Sequence, residues 1–163
     1  MSSDESWSAL AGLDAVTARS QMAERFRAIT KLPAEEQREK LRSMIVAEYA
    51  LDEPGLLEFT GRRLRSLLDL ELQDAITVSD GYGKIFNDMP GEMAMRRVTV
   101  VQSVAREMSA VEVDALQHIM PGLVDSIPSM LRHETAEAQT AQGSSTASTS
   151  AAKKPGWKFW QRN

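Results

Sequence analysis

The chain has 163 residues, of which 42% are hydrophobic and 6% aromatic, with a net charge of −4 and no cysteine. This length suits a single hydrophobic core, and the lack of thiols excludes disulfides, thiolate metal sites, iron–sulfur clusters and cysteine nucleophiles. The acidic, polar stretch 1–8 lacks the basic start and apolar run of a secretory signal, and no window approaches the roughly 18 to 20 apolar residues of a membrane span, so a soluble, cytoplasmic protein is expected.

Leucine, methionine, alanine and valine carry the apolar load, which favours helices over sheets. Residues 1–12 read as a flexible N-terminus, with Trp7 and Leu10 folding back as a lid. A helical domain is expected over 13–133. Its first helix shows an apolar stripe at Val16, Met22, Phe26 and Ile29 and closes at Lys31-Leu32-Pro33. Pro33 opens the second, with Glu35 and Glu36 in the first turn, where carboxylates meet exposed backbone donors. Leu41, Met44, Ile45 and Tyr49 form its inward stripe.

Asp52-Glu53-Pro54 restarts the chain as a capped third helix, followed by Leu56, Leu57, Phe59, Leu64, Leu67 and Leu68. Asp69 is the expected cap of a fourth, carrying Ala75, Val78, Tyr82, Ile85 and Phe86. Within it, Asp80-Gly81 is also a hairpin signal, but a lone hairpin with no sheet to join is marginal. A helix bent near Gly81 is therefore the reading. Met89-Pro90-Gly91-Glu92 starts a fifth, with Met93, Val98, Val101, Val104 and Met108 inward. Ser109 and Glu112 make a capping-box pattern for a sixth, carrying Val113, Leu116, Ile119 and Met120. A short piece from Leu123 to Leu131 ends the domain.

Leu32, Leu51, Leu70, Met89 and Met108 fall at a constant interval of 19 residues, each beside a helix-start signal. Short turns force neighbouring helices antiparallel, so the expected fold is all-α, a compact bundle of about six short antiparallel helices. A small right-handed helical-repeat array is the alternative, with two helices per unit. Residues 134–152 contain eight serines or threonines and six alanines, and read as a flexible linker with a reach of ~24 Å.

Most candidate chemistry has a structural explanation. Gly81-Tyr82-Gly83 lacks the third glycine of a dinucleotide fingerprint. Asp114 and His118 offer two metal ligands, which is too few. Glu35, Glu36, Glu39, Glu71 and Asp74 sit where helix dipoles favour acids. Met89, Met93, Met95 and Met108 suit core filling. No catalytic residue, cofactor or metal site emerges, and a non-enzyme is expected.

Arginines 62, 63 and 65 on one exposed helix, with Arg96 and Arg97, form a secondary candidate partner surface for phosphate or an acidic partner. The primary candidate is the C-terminal segment 153–163, a disordered docking tail. It holds two of the three tryptophans and four positive charges, so the other 152 residues sum to −8. Its contact residues are Lys153, Lys154, Trp157, Lys158, Phe159, Trp160 and Arg162. Tethered aromatics flanked by cations suit a protein groove, which makes the chain an adaptor, assembly factor or scaffold component. The same residues suit an anionic membrane surface or, less well, single-stranded nucleic acid. Packing on the chain's own acidic domain or on a second copy in a homo-oligomer completes the set.

Overall fold

Three helix starts share one device, a side chain that accepts hydrogen bonds from otherwise orphaned backbone N–H groups. The structure, a computed structural model, describes residues 6–122. The expectations for the segment from Leu123, the linker and the tail lie outside the described residues. Asp14 accepts from the backbone N–H groups of Val16 and Thr17 at 3.1 and 3.0 Å and opens α1, Ala15–Ile29. Asp52 accepts from Gly55 N at 3.0 Å and opens α3, Glu53–Leu67. Ser109 and Glu112 complete the expected capping box at the start of α6, Ala110–Ile119. The prolines Pro33 and Pro90 immediately precede α2, Ala34–Tyr49, and α5, Gly91–Glu107.

The fourth start departs from expectation. Glu71, with no side-chain cap bond, precedes α4, Leu72–Asn87. Asp69 instead takes Arg19 of α1 in a two-pronged pair, at 2.6 and 2.7 Å, while its carbonyl accepts Arg27 Nη2 at 2.6 Å. A bidentate guanidinium–carboxylate pair is the stronger competitor for that side chain.

The 19-residue interval is structural. Leu32, Leu51, Leu70, Met89 and Met108 each lie in the connector between two helices. Each donates its N–H to the carbonyl three residues back, at Ile29, Glu48, Leu67, Phe86 and Ala105, over 3.0 to 3.3 Å. All five acceptor residues are buried. Connectors of two to four residues turn each helix back against its predecessor. The closest packing then skips one element: α1 lies on α3 and α3 on α5, while α2 lies on α4 and α4 on α6.

The result is an all-α compact bundle whose odd and even helices form two layers around one core. Phe26, Met44, Ile45, Phe59, Leu64 and Phe86 are at its centre. Residues 7–12 are not frayed: Trp7–Gly12 forms a 3-10 turn that buries Trp7 and Leu10 against that core. Three residues expected inside are outside. Val16 and Val98 are 78% and 40% exposed, and Met95 is 68% exposed. Val16 stands in the first turn of α1, two residues before the buried stripe begins at Ala18 and on a different face.

Helix α4 runs unbroken through Gly81 and Gly83, with no hairpin. Glycine at 81 answers a packing need, since a Cβ there would lie 2.7 Å from Leu41 Cδ1 in α2. At Gly83 a Cβ would meet nothing closer than Arg97 Nη1 at 3.9 Å. Gly81→Val is therefore expected to destabilise by ~1–3 kcal/mol through overpacking. Gly83→Ala is expected to be neutral or stabilising by up to about 1 kcal/mol through helix propensity. Thermal melts of the two variants, followed by circular dichroism, check the opposite signs.

At the capping box, the Ser109 backbone N–H, and then Arg65, hold the Glu112 carboxyl below its ordinary value against partial desolvation. A carboxylate depressed in the folded state stabilises above its unfolded value and loses that contribution as pH falls. Glu112→Gln should therefore cost about 0.5 to 1 kcal/mol at pH 7, allowing for solvent screening. Near pH 3 the difference from wild type should shrink, as read by urea titration at both pH values.

Candidate functional site

One turn beyond Leu41, Met44 and Ile45, the inward stripe of α2 places Glu48, which is 0% exposed. A buried carboxylate is tolerated only when its oxygens are hydrogen-bonded and its charge is matched, and here both conditions are met. Glu48 Oε1 accepts from Thr60 Oγ1 at 2.6 Å and from Arg63 Nε at 3.1 Å, both on α3. Oε2 accepts from the Tyr82 hydroxyl of α4 at 2.7 Å. The Tyr82 ring stacks on Phe86 with centroids 5.0 Å apart.

Two guanidiniums share this neighbourhood. Arg63 lies 4.1 Å from the Tyr82 centroid, while Arg97 of α5 lies 5.0 Å from Tyr82 and 5.1 Å from Phe86. Burial works against the Arg63 charge, but the adjacent Glu48 carboxylate outweighs it and raises the group above its ordinary value. Burial also pushes the Tyr82 phenol well up, with Glu48 adding to the effect, so it stays a donor. For Arg97, burial and then the like charge of Arg63 lower the group from its ordinary value.

Above this network is a cleft of about 660 Å³, bounded by α4, α5 and the end of α6. Arg63 and Phe86 lie at its base, and Val98, Val101 and Ile119 supply apolar walls. It lies where α6, of 10 residues, ends beside α4, of 16.

The five arginines of the expected secondary surface do not form one face. Arg62 and Arg63 are 9% and 4% exposed, because α3 sits between α1 and α5 and is covered on most sides. Arg62 pairs with Glu58 and donates to the carbonyls of Leu10 and Ala11 at 3.2 and 3.4 Å. Arg65 donates to Glu112 at 2.9 Å. Arg96 stays exposed, 3.9 Å from Glu53, and Arg97 turns into the cleft. The tail residues lie outside the described residues.

His118 Nδ1 lies 3.0 Å from the Asp114 carbonyl oxygen, a local helix contact. Among the described residues no group of three or more histidines and carboxylates could hold a metal ion. Among the described residues no helix is long and apolar enough to cross a membrane. Glu48, Thr60 and Ser79 were not singled out by the sequence reading. A signal existed for Glu48, the one charged residue in the series Ile29, Glu48, Leu67, Phe86, Ala105, which repeats with the connectors.

No protein-family model, curated protein or solved structure matches the chain. The reading of the site therefore rests on its chemistry alone. With three donors on its two oxygens, Glu48 is an anchor, held where a proton-transfer role would require those donors to be released.

Proposed function

We propose that the protein is a non-catalytic helical adaptor, assembly factor or scaffold component that holds a protein partner through the basic, aromatic segment 153–163. The observation that carries this reading is that the described residues between Trp7 and Ile119 already close a contiguous hydrophobic core. Large aromatics beside cations, as at Trp157 and Trp160, are the side chains that dominate protein interfaces. The saturated Glu48 network supports a structural role for the body's buried charge.

The test compares the full chain with one lacking residues 153–163 in capture of partners from native lysate. The shortened chain is expected to keep its helical signal and melting temperature and to lose the partner. Trp157→Ala and Trp160→Ala are each expected to weaken capture by tenfold or more, on the order of 2 kcal/mol for an interface anchor. Recovery of the same partners by both chains overturns the proposal. Binding to anionic vesicles or single-stranded nucleic acid that falls steeply with salt would favour membrane or nucleic-acid association instead.

A further inference from the structure

Among the described residues, the cleft at the end of α6 is lined by more cations than carboxylates. Two guanidiniums, Arg63 and Arg97, flank one tyrosine ring, and a single buried carboxylate, Glu48, serves them. All of the Glu48 bonding capacity seen in the structure goes to Thr60, Arg63 and Tyr82. Arg97 makes ring contacts with Tyr82 and Phe86 but has no hydrogen-bond acceptor or ion-pair partner among the described residues. A guanidinium held on two ring faces is pre-oriented, so little freedom is lost when it receives an anion.

Two more donors face the same space. Ser79 is only 7% exposed, and its hydroxyl donates to nothing among the described residues; Lys84 stands at the rim one turn farther along α4. Asp80 is the one carboxylate among the described lining residues, and it is exposed at the mouth. The rest of the lining is largely aliphatic or aromatic. Pockets that bind small molecules commonly measure about 300 to 1,000 Å³ and combine apolar walls with a few convergent polar groups. This cleft has that form.

We infer that the cleft between α4, α5 and the end of α6 binds a small organic carboxylate, with Arg97 and Ser79 receiving the carboxylate and Val98, Val101 and Ile119 enclosing an apolar body. A single carboxylate fits better than a doubly charged phosphate because Asp80 repels a second negative charge at the entrance. The chain's own basic tail would compete poorly for the matching reason, since it would bring cations to cations. The inference concerns the helical body and stands apart from the tail.

Isothermal titration of the full chain with decanoate, below its micelle concentration, tests it. One saturable site is expected, with decanol binding about tenfold more weakly because a charge-assisted hydrogen bond is lost. Arg97→Gln should weaken decanoate by about the same tenfold while leaving decanol unchanged. Val98→Trp fills the mouth from an exposed position and should abolish binding of both without lowering the melting temperature, which keeps the test intact if the Arg97 variant folds poorly. No saturable decanoate binding, equal affinity for decanol, or undiminished binding in both variants overturns the inference. So does tighter binding of a leucine–glutamate peptide than of decanoate, which would assign the cleft to an acidic protein segment.

Discussion

Arg63→Met is expected to destabilise the fold by about 3–5 kcal/mol, because it removes the one cation that is hydrogen-bonded to the buried Glu48 carboxylate among the described residues. Arg63 and Glu48 are 4% and 0% exposed as side chains, so water cannot replace the lost partner without opening the bundle. The hydrogen bonds from Thr60 and Tyr82 remain and prevent complete loss of the site. Glu48→Met alone strands the Arg63 charge in the same way. The double variant removes both charges and should be more stable than the sum of the single losses predicts, since apolar groups can replace a buried pair with little penalty. Urea titrations of the four proteins give the coupling directly. A loss below 1 kcal/mol in Arg63→Met, or simple additivity in the cycle, would show that the pair is solvated and uncoupled.

This network also shows which part of the molecule was legible in the sequence. Helix starts depend on side chains two or three residues away, so Asp52 and the Ser109–Glu112 box announce themselves locally, while Asp14, the same device, went unread. The constant interval from Leu32 to Met108 was readable because α1 to α5 each end with the same turn. The fate of Arg62, Arg63 and Arg65 was not. Whether a helix has one buried stripe or is covered on most sides depends on its neighbours two elements away, and α3 is covered by both α1 and α5. Asp69 was misread for a related reason, since its partner Arg19 is 50 residues distant and outcompetes the local backbone. The cleft was hidden because its lining comes from α3, α4, α5 and the end of α6, which meet only once those helices pack together.

Trp7→Ala is expected to cost about 3–5 kcal/mol, the range of a deleted core aromatic, although the residue stands outside the six α-helices. Trp7 is 7% exposed and its ring lies 5.7 Å from that of Phe26, tilted by 32°. The Arg25 guanidinium is 5.0 Å from the indole centroid, and its charge is attracted to the ring face. Three residues along the turn, Leu10 is 1% exposed, and its carbonyl accepts from Arg62 Nη1 at 3.2 Å. Losing the indole therefore opens a cavity over α1 and weakens the placement of a segment that satisfies a buried guanidinium. Arg62 Nε already has no partner among the described residues, so any loosening there adds a desolvated donor to the cavity cost. Trp7→Phe keeps an apolar ring in the site and should recover most of the loss. If Trp7→Ala unfolds within 1 kcal/mol of wild type by urea titration, the 3-10 turn is an accessory cover and the core closes without it.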